Sequence, residues 1–322
     1  MGEEMPRNLP GRGSKQELEL TSFQSPSARP CPFPAMATNL PSCPEHYFSR
    51  TPWRTLWGIA PTGPIHLGYA AYLLLLRWLR ARGSVPVVLI ADYHGYLDAG
   101  KAAWPRLAAL SNEYARTVTR AGLGDSLVFT REAYARPGYL EALFRLSPAV
   151  GLDKALRTGA TTLGFGRSAS SLSEALYVAT QVIDPWFFGC DAVLCGADER
   201  PIYDFGLELL AREWQFHCKG VFLPMCPGLI SADMHASDPP ANRMDLFLPL
   251  DQVRGRLEQV AALAPGQFLR LSEYSRTVLC PLAVALGASV RVECGSPPST
   301  VDPVVDAIGA AQEMLQGRGI HD

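Results

Sequence analysis

Lysine is scarce in this chain. Of its 29 basic residues only four are lysines, Lys15, Lys101, Lys154 and Lys219, and the other 25 are arginines. A genomic arginine bias accounts for the count at large. Excess charge is also missing: the 322 residues carry a formal net charge of −2. No global positive field therefore points to DNA, RNA or an anionic membrane, and any such contact must be local. Long apolar runs are absent, and residues 70–76 are far too short to span a bilayer. The eight cysteines form no CxxC pair and no zinc-ligand spacing. No metal site is expected, and the thiols read as reduced and mostly buried in an intracellular protein. The N-terminus has Glu3 and Glu4 and no apolar stretch, which excludes a secretory leader and fits a mitochondrial presequence poorly. Cytoplasm is the expected compartment.

What is present is a globular composition, 48% apolar and 19% charged, in a chain long enough for one large or two modest domains. Residues 1–45 are rich in Pro, Ser, Gly and Arg without periodicity, so a disordered extension is expected, with Met36 as an alternative start to Met1. From Trp53 the texture changes. A strand over 56–60, a turn at 61–64, a helix over 68–82 and a buried strand over 85–90 make one βαβ unit. Helices are predicted over 102–121, 139–157 with a break near Pro148, 170–182 and 199–213, and strands over 127–130, 192–195 and 221–223. This alternation predicts an α/β fold with a doubly wound parallel sheet over residues 46–250. Residues 251–322 read as a smaller, mainly helical C-terminal domain, with helices over 251–263, 268–285 and 301–315 and a strand-like stretch at 289–293.

Three segments carry chemistry. In the first, Gly58, Thr62, Gly63, His66 and Gly68 fall where a strand ends and a helix begins. Strand ends open a crevice there, and helix N-termini present free N–H groups to phosphate. His66 can donate a hydrogen bond to a phosphate oxygen, and Gly68 lets a flat base approach the backbone. The bland alternative is an ordinary helix start with a tight packing point. In the second, Tyr177, Gln181 and Asp184 fall at i, i+4 and i+7 and share one helix face. Either that face is solvated or it lines a ligand pocket, and the apolar neighbours Ile183 to Phe188 favour burial. The third holds Gly196, Asp198 and Glu199 at another strand-to-helix junction, where Asp198 suits sugar hydroxyls or caps the helix.

Together with residues 89–98, 101–104 and 189–191, these segments resemble the tyrosyl-tRNA synthetases of eukaryotic and archaeal type, a class I aminoacyl-tRNA synthetase family. The similarity covers roughly residues 53–260, with residues 57–69 standing as the HIGH region. It implies a Rossmann-like catalytic domain and ATP-dependent activation of tyrosine, with transfer to tRNA(Tyr). By that resemblance His66 and Gly68 are the catalytic pair. The nucleotide site comprises Gly58, Thr62, Gly63, His66, Gly68, Gly196, Asp198, Met234 and Ser237. Tyr177 and Gln181 hold the amino group of tyrosine with Glu199 beside them, and Asp184 accepts the tyrosine hydroxyl. ATP, with Mg2+, is then a substrate, no tightly bound cofactor is implied, and a dimer with itself or with another synthetase chain is expected.

The chain departs from the family pattern at four places. Leu56 stands where a second partner of the substrate hydroxyl is usual, and Glu199 where glutamine is usual. In the mobile signature loop, Met234 and Ser237 fit, but Asp233 and Asp238 occupy both lysine places, leaving Arg243 or His235 to substitute. Reversed charge beside a polyphosphate removes stabilisation and adds repulsion. Arg254, Arg256, Arg270 and Arg291 alone are thin for tRNA. The alternative reading is therefore a catalytically impaired relative that acts as a binding or dimer partner.

Overall fold

The computed structural model describes residues 52–98, 103–163, 171–289 and 300–316, which lie in one compact unit within residues 31–322. The chain runs β1 (Trp53–Ile59), α1 (Gly68–Arg80), β2 (Ser84–Ile90), α2 (Asp92–Leu97), α3 (Trp104–Val118), β3 (Leu127–Phe129), α4 (Thr130–Ala133), α5 (Tyr139–Leu146), α6 (Leu152–Leu163), α7 (Leu172–Phe187), β4 (Ala192–Gly196), α8 (Arg200–Trp214) and β5 (Lys219–Leu223). Four further helices follow, α9 (Leu250–Leu263), α10 (Pro265–Tyr274), α11 (Cys280–Ala285) and α12 (Asp302–Leu315).

The five strands form one parallel sheet in the order β3-β2-β1-β4-β5. The chain therefore winds outward from β1 in both directions, and the reversal between β1 and β4 opens a crevice at the carboxyl edge of the sheet. The central strands are buried on both faces, as helix-covered parallel strands must be. Helix α1 is buried almost all round, from Ala70 to Leu79. One side meets the sheet, and another meets α11 and α12, with Leu257 of α9 and Leu271 of α10 in the same apolar core. The boundary expected at residue 250 falls at the first residue of α9.

The differences from the predicted elements have local causes. Helix α2 has no apolar periodicity to announce it; it starts at Asp92, whose carboxylate pairs with Arg131 at 2.5 Å and accepts from Thr130. Helix α7 runs on past the expected stop at 182, through Pro185 to Phe187. In the last turn a proline removes one ladder bond, and Asp184 still accepts from Phe188 N at 3.0 Å. The single helix expected over 268–285 is divided by a wide π-turn at Ser275–Leu279, just before Pro281. Glu199, not Asp198, is the N-cap residue of α8. The strand expected at 289–293 lies outside the described residues except for Ser289, and so does the N-terminal extension. Among the described residues no helix is long and apolar enough to cross a membrane.

Candidate functional site

A cavity of about 690 Å3 occupies the crevice at the carboxyl ends of β1 and β4, well within the range of small-molecule sites. Gly58, Thr62, His66, Gly68, Gly196, Asp198, Met234 and Ser237 line it. A side chain added at Gly58 would meet nothing within 4 Å, so this glycine faces open space. At Gly196 a β-carbon would fall 2.2 Å from Asp198 Oδ1, and at Gly68 2.9 Å from the His66 ring. These two glycines let polar side chains lie flat against the backbone.

His66 is buried, and its Nδ1 accepts from Gly68 N at 3.2 Å. That bond puts the ring proton on Nε2. Burial pushes the imidazole down to about 3, with His235 and Arg243 adding to the effect. His66 is thus a neutral donor. Its backbone is fixed by an antiparallel bridge to Asp245, flanked by bonds from Leu67 N to Met244 O at 2.8 Å and from Leu246 N to Ile65 O at 3.2 Å.

The far wall of the cavity is a loop tied around the side chain of Asn242. Its Oδ1 accepts from the amides of Ile230 and Ser231, both at 2.9 Å. Its Nδ2 donates to Ser231 Oγ at 2.7 Å, Asp233 O at 3.2 Å and Asp238 Oδ2 at 2.6 Å. Asp238 Oδ2 also accepts from His235 N at 2.8 Å. Asp233 points away from the knot, toward Arg270 at 3.6 Å. Arg243, a candidate substitute cation, is buried behind the loop. It donates to Asp245 Oδ1 at 2.9 Å and to Asp238 O at 2.7 Å, and it does not line the cavity. His235 does line it. Gly63 is not at the cavity wall either: its Cα is pressed against the loop, where a β-carbon would fall 1.8 Å from Ala236 O.

A second, smaller cavity of about 30 Å3 adjoins it, and Gly58, Ala60, Tyr177 and Glu199 line both spaces. It has room for roughly two waters. Leu56, His94, Gln181, Asp184 and Tyr203 are among the other residues of its wall. The i, i+4, i+7 stripe of α7 is therefore buried rather than solvated, with Tyr177, Gln181 and Asp184 each at most 5% exposed. Asp184 Oδ1 accepts from the Tyr139 hydroxyl at 2.9 Å, and Oδ2 from that of Tyr134 at 3.0 Å. Burial raises its carboxyl to about 7 against the pull of these two phenols. His94 Nε2 lies 3.1 Å from Thr180 Oγ1, and burial holds its imidazole down at about 4. Gln181 Nε2 donates to Glu199 Oε1 at 3.1 Å, while Gln181 Oε1 is buried without a hydrogen-bond partner. Burial first, and the adjacent Asp198 second, push Glu199 up to about 8.

The structure thus gathers the three motif segments around two connected spaces. Tyr134 and Tyr139 were not among the residues singled out from sequence. They reach Asp184 across 50 and 45 positions from short helices with no motif of their own. Their one sequence signal is aromatic residues in a polar stretch.

Comparison with known proteins gives a consistent result. The family described as tRNA synthetases class I (W and Y) matches residues 49–246. The cytoplasmic tyrosine–tRNA ligase of Xenopus tropicalis is 30% identical over 241 residues, which is 72% of this chain and 45% of that protein. The tyrosine–tRNA ligase of Natronomonas pharaonis is 30% identical over 188 residues, 56% of this chain and 54% of its own length. The chain spans about half the length of these curated relatives. Among solved structures, the tyrosyl-tRNA synthetase of Archaeoglobus fulgidus complexed with L-tyrosine superposes with a TM-score of 0.66 at 20% identity, covering 84% of this chain and 89% of that one. The tryptophanyl-tRNA synthetase of Plasmodium falciparum gives 0.61 at 17% identity, covering 82% and 77%. These structural likenesses speak for the fold.

Proposed function

Since the chain belongs to the class I tRNA synthetases of the tryptophan and tyrosine group, we propose that its joined cavities activate an amino acid, tyrosine, with ATP and pass it to tRNA(Tyr). The observation that carries this reading is the shared wall of the two spaces. Gly58, Ala60, Tyr177 and Glu199 border both, so an amino acid in the smaller space and a nucleotide in the larger one meet there.

In this reaction an oxygen of the amino acid carboxylate attacks the α-phosphorus of ATP. The bond to the bridging oxygen of the β-phosphate breaks, and pyrophosphate leaves. A ribose hydroxyl of the tRNA 3′ end then attacks the acyl carbon, AMP leaves, and the hydroxyl proton departs with it. No protein nucleophile is needed, so the chain's part is positioning and stabilisation of growing phosphate charge. His66 Nε2–H donates to a phosphate oxygen without carrying charge of its own. Gly58 and Thr62 give the nucleotide close backbone approach, Gly68 and Gly196 seat the His66 ring and the Asp198 carboxylate beside it, and Gly63 holds the loop, with Asp198 beside the ribose. Met234 and Ser237 close the loop side. Tyr177, Gln181 and Glu199 take the amino group. Asp184 faces the side chain of the amino acid with two of its acceptor sites already used. The smaller space, about 30 Å3, must widen to admit a ring.

A second reading, a catalytically impaired relative, is favoured by the loop. Asp233 and Asp238 stand where cations are usual, and Arg243 is held behind the cavity wall. In either case the exposed apolar residues Leu140, Phe144 and Leu152 suit a dimer, and the cytoplasm is the proposed compartment.

ATP–pyrophosphate exchange tests the proposal. Exchange that depends on tyrosine supports activation. No exchange with any amino acid, with tyrosine still raising the melting temperature, supports the impaired partner.

A further inference from the structure

A separate groove of about 370 Å3 shares no lining residue with the two cavities at the crevice. One wall is the outer face of α3. Glu113, Arg116 and Thr117 fall there at i, i+3 and i+4, and Arg120 follows at i+7 in the turn beyond the helix end. The other wall is the segment 245–249. Gln312 of α12 braces that segment, its Nε2 donating to Leu246 O at 2.9 Å and to Leu248 O at 3.0 Å.

The polar groups of the α3 wall are not spent on the protein. Arg116 and Arg120 are exposed and make no ion pair or hydrogen bond among the described residues, and neither Glu113 nor Thr117 Oγ1 has a hydrogen-bond partner there. Asp245 differs, since its carboxylate already accepts from Arg243 Nε at 2.9 Å. The Arg120 guanidinium lies over the Phe247 ring, 5.0 Å from its centroid. A guanidinium plane stacked on one ring can take a second flat ring on its other face. Two free cations, a free hydroxyl, a free carboxylate and a stacking plane thus share one space.

We propose that this groove binds a nucleotide unit, distinct from any nucleotide in the crevice. The phosphate pairs with Arg116 and accepts from the Thr117 hydroxyl. The base stacks on the Arg120 plane, and Glu113 accepts from the ribose hydroxyls. A bare anion fits worse, because it leaves the stacking plane unused and is repelled by the Glu113 carboxylate. The volume lies within the range of small-molecule sites. No residue of the crevice takes part, and amino acid activation is not required. Residues 244–246, at the start of the second wall, also pair with residues 65–67 around His66. A ligand seated across both walls binds the paired form alone and holds it closed.

Hydrogen exchange on the full chain tests this, with AMP, inorganic phosphate and a short single-stranded RNA as probes. The amides of Leu67 and Leu246 donate across the pairing. With AMP at ten times its dissociation constant they should exchange about tenfold more slowly. Inorganic phosphate at the same concentration should slow them less, and equal slowing would overturn the nucleotide assignment. The RNA separates the two sources of the ligand. Slowing at lower RNA than AMP concentrations, weakened by salt, assigns the groove to a strand, and no advantage over AMP assigns it to a free nucleotide. Arg116→Glu combined with Arg120→Glu should abolish the slowing, and both side chains are exposed, so the fold should survive the change. Residues 196–199 report on the crevice separately. If AMP slows Leu67 and Leu246 but not residues 196–199, the nucleotide reading of the crevice falls and the groove stands. Unchanged exchange at Leu67 and Leu246 with AMP and RNA alike, or slowing that the double variant retains, would overturn the groove.

Discussion

Replacing Asn242 by alanine should release the loop that walls the larger cavity. The side chain is buried, receives two hydrogen bonds from the Ile230 and Ser231 amides, and shares its two N–H among Ser231 Oγ, Asp238 Oδ2 and, at longer range, Asp233 O. At roughly 1 kcal/mol net for each of four full bonds, the sum is about 4 kcal/mol. Part of this returns, because Ile230 and Ser231 are exposed and their freed amides can bind water. The local closing equilibrium should therefore weaken by about 2–4 kcal/mol, a factor of roughly thirty to a thousand. Hydrogen exchange at the amides of Ile230 and Ser231 reads this directly, and should speed up by that factor. Leu229 and Met234 of the loop are buried in the same apolar core as α1, so the melting temperature should fall as well. Asn242→Asp is the sharper control. It keeps the acceptor for both amides, loses the three donations, and sets a second carboxylate against Asp238 Oδ2. Its loop should also open more readily than the wild type, because like charges face each other where a hydrogen bond stood. Unchanged exchange at both amides in Asn242→Ala would refute the account of the loop as a knot around one side chain.

Two other perturbations follow from distances already given. Gly63→Ala drives a methyl group into the carbonyl of Ala236, 1.8 Å from the new carbon. The overlap is with backbone, so the loop must lift; adenine nucleotide affinity should fall and proteolytic cleavage near residue 236 should quicken, and an unaltered cleavage pattern would contradict the contact. Asp184 keeps its proton up to about pH 7 in the folded chain but loses it near 3.8 when unfolded. Its stability cost thus grows as pH rises from about 4 to 7, reaching about 4 kcal/mol. Asp184→Asn should remove that slope, so its melting temperature relative to wild type should climb across this range; parallel curves would show that the carboxyl is ionised throughout.

Much of the fold was legible because apolar runs and glycine stops mark parallel strands and their helices plainly. The strand from Trp53 and the helix from Gly68 are of this kind. What was hidden depends on distant partners. Helix α2 is anchored by Asp92 on Thr130 and Arg131, nearly forty positions away. The division of the helix before Pro281 reflects one missing N–H, which periodicity does not register. At the site, the i, i+4, i+7 spacing placed Tyr177, Gln181 and Asp184 on one face but could not say what lay opposite. Tyr134 and Tyr139, which occupy both oxygens of Asp184, lie at the end of one short helix and the start of a predicted one, and nothing in that periodicity marks them as partners of Asp184. Position 243 is the instructive case. An arginine near a phosphate site reads as a ligand, yet local hydrogen bonds turn it inward to brace the loop.

The bridge between His66 and Asp245 joins residues 179 positions apart. Every strand of the sheet is complete by residue 223, before the second half of that bridge has been synthesised. A nascent chain can therefore build the whole sheet with the backbone around His66 still unpaired. Such long-range closure is slow to nucleate although it costs little in equilibrium terms. The strand order is set by residues that all precede Asp245, while the apolar core around α1 closes only with the helices between Leu250 and Leu315. The histidine at the crevice takes its place when residues 244–246 return, after the last strand and before the last helices of the core.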